Sequence, residues 1–278
     1  MPFTTESIPD FFYKYRGVGT TSNSDGKSQL DYLIDQIVDD SIYLSIAAEF
    51  NDPFECAPKI RIHPPEITRK KFRSLILEKH NSLFPDISNN QKKQYANEAS
   101  KKYYGQLSHP DFQKDVKKHL SFAEKTRIYC VSTCPTSILM WSHYASNHEG
   151  ICLEYRNIGF FDHALKVEYK LERPEIYLFG ATDELKEVEK TYLTKSEEWK
   201  YEEEWRVVLP NLSVGQYRLE SACLHGIILG SRIKDSVRER VLQAAERRIH
   251  RPKIYEAKLC SETYSVKLEA INLTNAKN

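Results

Sequence analysis

From Arg127 onward the chain is cut into short runs rich in β formers: Ile128–Thr133, Ile151–Tyr155, Ala164–Tyr169, Arg206–Leu209, Ile227–Leu229, and the pair Lys253–Leu259 and Tyr264–Ile271. Runs of this length and composition read as strands. Helical patterns interrupt them at 183–199 and 234–249. Ahead of this block, Phe11–Arg16 (FFYKYR) is aromatic and precedes a Gly/Thr/Ser/Asn loop, so it reads as a first strand. Leu30, Leu33, Ile34, Ile37 and Val38 then fall on one helical face, with Ser28 placed to cap the first turn. A short Ile42–Leu44 segment leads to Asn51-Asp52-Pro53, which marks a turn. One early strand and helix, a helical insertion and a late run of strands fit an α+β fold with a mixed or mostly antiparallel sheet.

The insertion spans residues 61–127 within a single α+β domain, 1–278. Ile67, Leu75, Ile76 and Leu83 lie near one helical face, Tyr95–Tyr104 forms a second stretch, and Phe112, Val116, Leu120 and Ala123 a third. Between these positions sit Arg69-Lys70-Lys71, Lys92-Lys93, Lys101-Lys102 and Lys117-Lys118. Residues 61–127 hold 15 Lys+Arg against 7 Asp+Glu, so the net +1 of the whole chain hides a +8 insertion and a body at -7. A cationic arm of this kind suits a nucleic-acid partner.

The composition, 40% hydrophobic with a mean hydropathy of -0.58, is that of a globular protein and argues against disorder or coiled coil. No stretch approaches the roughly 18 apolar residues needed to span a bilayer, and the N-terminus lacks a basic start followed by an apolar core, so a cytoplasmic protein without membrane association is expected. The six cysteines are scattered and no two form a CxxC, which suits reduced thiols and supplies no zinc module. Glycine-rich phosphate cradles of the GxGxxG or Walker type are missing.

Three polar and aromatic clusters stand out. Tyr13-Lys14-Tyr15-Arg16 reads either as an edge strand with buried aromatics and exposed cations, or as a strand end where Arg16 or Lys14 holds an anionic ligand. Met140-Trp141-Ser142-His143-Tyr144 combines a stacking surface with a titratable hydrogen-bonding group, although a His beside aromatics is often structural. Lys195, Trp199, Tyr201 and Glu202-Glu203-Glu204-Trp205-Arg206 run into Val207-Val208-Leu209. On a strand, Glu202, Glu204 and Arg206 would share one face, two carboxylates beside a guanidinium. Such a trio can hold one carboxylate ionised and the other as a hydrogen-bond donor, or it can be a solvated face stitched by ion pairs.

Taken in order, KYR, FNDPFE, CVST, MWSHYASNHEGICLEY, K-x3-W-x-YEEEWRVV and GIILG resemble the prokaryotic domain-of-unknown-function family twenty-nine seventy-one. The layout is also similar, more distantly, to ADP-ribosyltransferases of the DNA-modifying toxin branch. That second resemblance implies a split sheet, NAD as substrate, and a role in bacterial conflict or phage defence with a nucleic acid or protein as acceptor and an antitoxin among its partner classes. Carried over by position, it makes Glu204, Glu202 and His143 catalytic and gives NAD binding to Tyr15, Arg16, Trp141, Tyr144 and Arg206, with no metal. Arg stands where that branch carries His on the first strand, and the Ser-Thr-Ser segment of Arg-type enzymes is absent. Two alternatives stay open: a metal-dependent nuclease in which Asp52, Glu55, Glu202, Glu204 and His143 hold Mg²⁺, and a non-catalytic nucleic-acid-binding module.

Overall fold

The computed structural model describes residues 8–19, 21, 24–61, 68–105, 126–177, 184–210, 212 and 214–271. The first strand is β1 (Phe11–Arg16), the first helix α1 (Gln29–Asp39), and a short β2 (Ser41–Tyr43) follows. Next come β3 (Lys59–Arg61), α2 (Arg69–Leu83) and α3 (Asn89–Tyr103). They are followed by β4 (Arg127–Ser132), α4 (Ile138–Tyr144), β5 (Ile151–Arg156), β6 (Leu165–Lys166), β7 (Glu168–Lys170) and β8 (Glu175–Tyr177). The remaining elements are α5 (Glu184–Tyr192), β9 (Thr194–Ser196), β10 (Glu204–Leu209), β11 (Gln216–Arg218), β12 (Leu224–Leu229), α6 (Asp235–Glu246), β13 (Lys253–Leu259) and β14 (Val266–Ile271).

These elements fall into two compact units, one built from 1–46, 126–167 and 198–278, the other from 47–125 and 168–197. The first unit is organised by an eight-stranded sheet in the order β14-β13-β12-β5-β1-β4-β10-β6. Every neighbouring pair is antiparallel except β12–β13, so the fold is α+β with a mixed, mostly antiparallel sheet. Alternation along each strand sends one set of side chains to each face. Phe12, Tyr129, Val131, Leu153, Tyr155, Trp205, Val207, Ile227 and Leu229 join Leu30, Leu33 and Ile37 of α1 and Val237, Val241 and Ala244 of α6 in one core. On the other face, Tyr15, Cys152, Ile228 and Ala257 pack with Met140 and Trp141 of α4.

Local chemistry fixes α1 where the sequence placed it. Ser28 and Asp31 form a reciprocal capping box, Leu30, Leu33 and Ile37 are buried, and Asp40 ends the helix in the left-handed region at φ 57°. Arg240 of α6 reaches Asp31 at 2.7 Å, and the buried Arg248 bonds both the Ile37 carbonyl and Asp40.

Pairing inside the sheet is uneven. β1 pairs with β5 over six residues, Phe11 to Arg16, but with β4 at the single pair Tyr13–Ser132. Where the β1–β4 ladder stops, the Lys14 ammonium donates to the Cys130 carbonyl at 2.7 Å and lies 4.9 Å from the Tyr129 ring.

The second unit contains α2 packed on α3 through Phe72, Ile76, Ala96 and Ala99, with Thr68 and Ser88 as their N-caps. Parallel pairs β3–β8 and β7–β9 accompany them. Arg69, Lys70, Lys71, Lys93, Lys101 and Lys102 face solvent, whereas Lys92 is buried and donates to the Pro85 carbonyl. Ile67 and the third helical stretch, Phe112 to Ala123, lie outside the described residues.

Two sequence expectations change. Ala164–Tyr169 is two strands, because the chain leaves the large sheet after β6, buries Val167, and pairs β7 with β9. The helix expected over 183–199 stops at Tyr192, and β9 and a 3-10 turn over Glu197–Glu202 take its second half, since Thr194 and Lys195 are buried in strand pairing. Among the described residues no helix is long and apolar enough to cross a membrane.

One buried carboxylate on the sheet gives a pH signature. Glu154 is 8% exposed, accepts from the Tyr13 hydroxyl at 3.0 Å through Oε1, and has no hydrogen-bond partner at Oε2. Burial raises its pKa above the ordinary 4.5. The folded chain therefore holds more protons than the unfolded chain between those two values, and this group's contribution to stability falls as pH rises through that window. Thermal melts of Glu154→Gln, followed upward from the ordinary carboxylate range, are expected to lose this part of the wild-type pH slope; an unchanged slope would assign it to other groups.

Candidate active site

On β10, Glu204 and Arg206 lie on the face opposite the Trp205–Val207 core, as alternation requires. The strand register sets Glu204 across from Ser132 and Arg206 across from Cys130. Arg206 is 0% exposed, and its guanidinium grips Glu204 in a fork, Nε to Oε1 and Nη2 to Oε2, both at 2.9 Å. This planar two-point match is one that lysine cannot make. The negative charge of Glu204 also reaches Cys130, whose thiol is held well above its usual range by burial first and by Glu204 second.

Glu202 does not join that strand face as the sequence implied. It ends the 3-10 turn, and Glu203 follows in the left-handed region at φ 45°, which breaks the two-residue alternation before β10 begins. Thr133 secures this kink, its amide donating to the Glu203 carbonyl at 3.2 Å and its hydroxyl to the Glu203 carboxylate at 2.9 Å. Glu202 is nevertheless buried, and it accepts the Tyr144 hydroxyl at 2.6 Å. Beside this contact, His143 Nδ1 and the Tyr201 hydroxyl are 3.0 Å apart, with His143 exposed, and the Trp199 and Tyr201 rings are 6.0 Å apart.

α4 presents these groups because Ser137 caps it and the loop behind it is clamped. Trp141 donates Nε1–H to the Pro135 carbonyl at 2.9 Å and meets Tyr15 edge-on at 5.2 Å. Tyr15 in turn donates to the Cys134 carbonyl at 2.7 Å. After α4, Ser146, Asn147 and His148 all have positive φ, 47°, 53° and 70°. Each such non-glycine residue costs about 1 kcal/mol, so the turn must be held by its surroundings. It is: Asn147 and His148 amides return to the Ser142 and Trp141 carbonyls, Ser146 Oγ accepts from Val18, and the His148 carbonyl accepts from Arg232. Gly150 and Gly230 permit the close approach, since a Cβ at either would lie 2.3 or 2.2 Å from a backbone oxygen, of Arg16 and His148 respectively.

The second and third sequence clusters therefore converge through Tyr144–Glu202 and His143–Tyr201. From the first cluster, Tyr15 supports Trp141. Lys14 feels both Glu204 and Glu202, although burial, the largest influence, lowers its pKa. Arg16 is half-buried and has no side-chain hydrogen bond or ion pair among the described residues; its charge acts on Lys14, Tyr129 and Tyr155. Lys195 belongs to the other unit, where its ammonium meets the buried Glu55 at 3.3 Å, and Asp52 there caps the turn at Phe54. Among the described residues no group of three or more His, Cys, Asp or Glu side chains is arranged to hold a metal ion, so the nuclease reading has no ligand set there.

Sequence reading missed Tyr201 as the partner of His143, and it missed Glu154 with Tyr13 and His225. Glu154 was legible as a carboxylate at an inward position of ICLEY, where Cys152 and Glu154 must share a face.

Breaking the fork from one side tests how far the site depends on it. Removing one partner of a buried ion pair costs about 3–5 kcal/mol, whereas replacing both by apolar groups is often close to neutral. Arg206→Met is expected to lose stability of that order in urea unfolding, and Glu204→Leu combined with Arg206→Met to recover most of it; additive losses would mean that the two groups do not depend on each other.

Neither the curated proteins nor the solved structures include a match to the chain. Residues 140–207, which carry α4, β5 and most of β10, match the model of a family described as a protein of unknown function (DUF2971). The matched stretch supplies Trp141, His143, Tyr144, Glu202, Glu204 and Arg206, and is similar to the family that the sequence motifs resemble.

Proposed function

We propose that the first unit carries an ADP-ribosyltransferase-like, NAD-using site, and that the protein acts in the bacterial cytoplasm as a toxin or phage-defence effector on a nucleic acid or protein, with an antitoxin as a partner class. The observation that carries this reading is the convergence of two motifs distant in sequence: the Tyr144 hydroxyl on Glu202, two residues before a Glu204 carboxylate held in a two-point fork by Arg206.

The chemistry assigned to these groups is loss of nicotinamide from NAD. The bond between the ribose anomeric carbon and the nicotinamide nitrogen breaks, its electron pair leaves with nicotinamide, and positive charge develops on the ribose. A carboxylate in a dry site stabilises that charge. Glu204 is assigned this role. The acceptor then bonds to the anomeric carbon and gives its proton to Glu202, which Tyr144 orients through the 2.6 Å hydrogen bond. Arg16, half-buried, is assigned to NAD binding, and the buried Trp141 and Tyr15 to supporting α4 behind it. The solvent-facing cations of α2 and α3 support a nucleic-acid acceptor and equally the non-catalytic binding module, because their attraction to phosphates is independent of sequence.

Purified protein is expected to consume NAD and release nicotinamide. Tyr144→Phe is expected to lower turnover about tenfold or more while costing no more stability than a single hydrogen bond, and Glu204→Gln to abolish turnover and any toxicity on expression. Protein that neither binds nor consumes NAD, with steeply salt-dependent nucleic-acid binding unaffected by Glu204→Gln, would instead establish the binding module.

A further inference from the structure

A cavity in the first unit is lined by basic side chains and shares no residue with the cluster around Glu204. It has a volume of about 510 Å³ and is bounded by Arg156, His225, His250 and Arg251, with Leu224 and Ile249 among its apolar walls. That volume lies within the range of small-ligand pockets, about 300–1,000 Å³. Among the described residues no Asp or Glu lines it.

The cations are placed there by the fold. Arg156 ends β5 and His225 is the extra residue of a β-bulge in β12, where the register against β5 shifts between Leu224 and Gly226. Bulges re-aim a side chain at the cost of a ladder position. Here the bulge brings the His225 ring 4.9 Å from Phe11 and its Nδ1 3.1 Å from Arg156 Nε. An arginine can only donate, so Nδ1 accepts and the proton of the neutral ring sits on Nε2, facing the Glu154 carboxylate at 3.9 Å. Burial, then Arg156 and Lys253, hold the His225 pKa down, so the ring stays a neutral spacer between the interior carboxylate and the pocket. Arg156 keeps its terminal nitrogens for a ligand, and Arg251 has no ion pair or hydrogen bond among the described residues. Ile249 stands beside them 92% exposed, an apolar surface next to unneutralised positive charge.

We infer that this cavity binds a phosphate monoester whose attached group presents a hydrophobic face, and a mononucleotide, with the face of its base, represents that class. Arg156 and Arg251 hold the phosphoryl oxygens, and Ile249 with Leu224 covers the body. Guanidinium groups match phosphate oxygens in forked geometry, and the apolar wall gives the attached group a reason to bind beyond charge. The inference stands apart from the NAD reading, because none of these side chains belongs to the Glu202–Glu204 cluster.

The test is isothermal titration calorimetry of the full chain with AMP, adenosine and inorganic phosphate at low salt. AMP is expected to bind at least about tenfold more tightly than either adenosine or phosphate, and Arg251→Glu, an exposed loop substitution, to weaken AMP about tenfold or more. Arg156→Ala is the second variant, with circular dichroism confirming the fold of both. Tyr144→Phe is expected to leave AMP binding unchanged. Adenosine or phosphate binding as tightly as AMP, AMP binding indifferent to Arg251→Glu, no AMP binding, or loss of AMP binding in Tyr144→Phe would each overturn the assignment, the last by moving the nucleotide to the proposed NAD site.

Discussion

The fork between Arg206 and Glu204 is the interaction on which the candidate site depends. A guanidinium at 0% exposure and a carboxylate at 4% exposure each carry a desolvation cost of several kcal/mol, which the two-point fork offsets. Two residues apart on β10, they can meet only while the strand holds its alternation and its register against β4. The same requirement sets the entry to the strand. Glu203 takes a left-handed backbone conformation and is pinned by Thr133, and Glu202 is thereby turned away from the fork toward Tyr144. The left-handed Glu203 thus separates two neighbouring carboxylates into different environments, one on Tyr144 and one on Arg206, the arrangement that acid–base chemistry on paired carboxylates uses.

The other half of the site is held by strain. Three successive left-handed residues after α4 are costly in isolation, and they persist because carbonyls from α4, the Val18 amide, and close passages at Gly150 and Gly230 leave the loop no room to relax. The result is that Trp141, His143 and Tyr144 project from a short helix with little freedom. In this setting the sequence run SNHEG is explained by backbone demands: Asn tolerates the left-handed region, and Gly150 makes room for the Arg16 carbonyl.

Most of the first unit was legible from periodicity. β1, α1, β4, β5, β12, α6, β13 and β14 lie where alternating or helical patterns put them, because each buries one face and so writes its period into the sequence. The site was legible in part. Glu204 with Arg206 followed from strand alternation, but Glu202 did not, since a left-handed residue between them is invisible to a two-residue period. Tyr144–Glu202 and His143–Tyr201 are contacts over 58 positions of sequence, and no local pattern encodes them. The break of Ala164–Tyr169 into two strands escaped notice for a related reason: the chain changes units at Val167 while its composition stays uniformly β-forming.

The central claim is that Glu202, Glu204 and Tyr144 form one site that takes the nicotinamide end of NAD. A crystal structure of the full chain grown with NAD tests it most directly. The expected result is the nicotinamide ribose against the Glu202 and Glu204 carboxylates with the Tyr144 hydroxyl within hydrogen-bonding distance; NAD bound elsewhere on the protein, with the Arg206–Glu204 fork and its surroundings untouched, would overturn that placement.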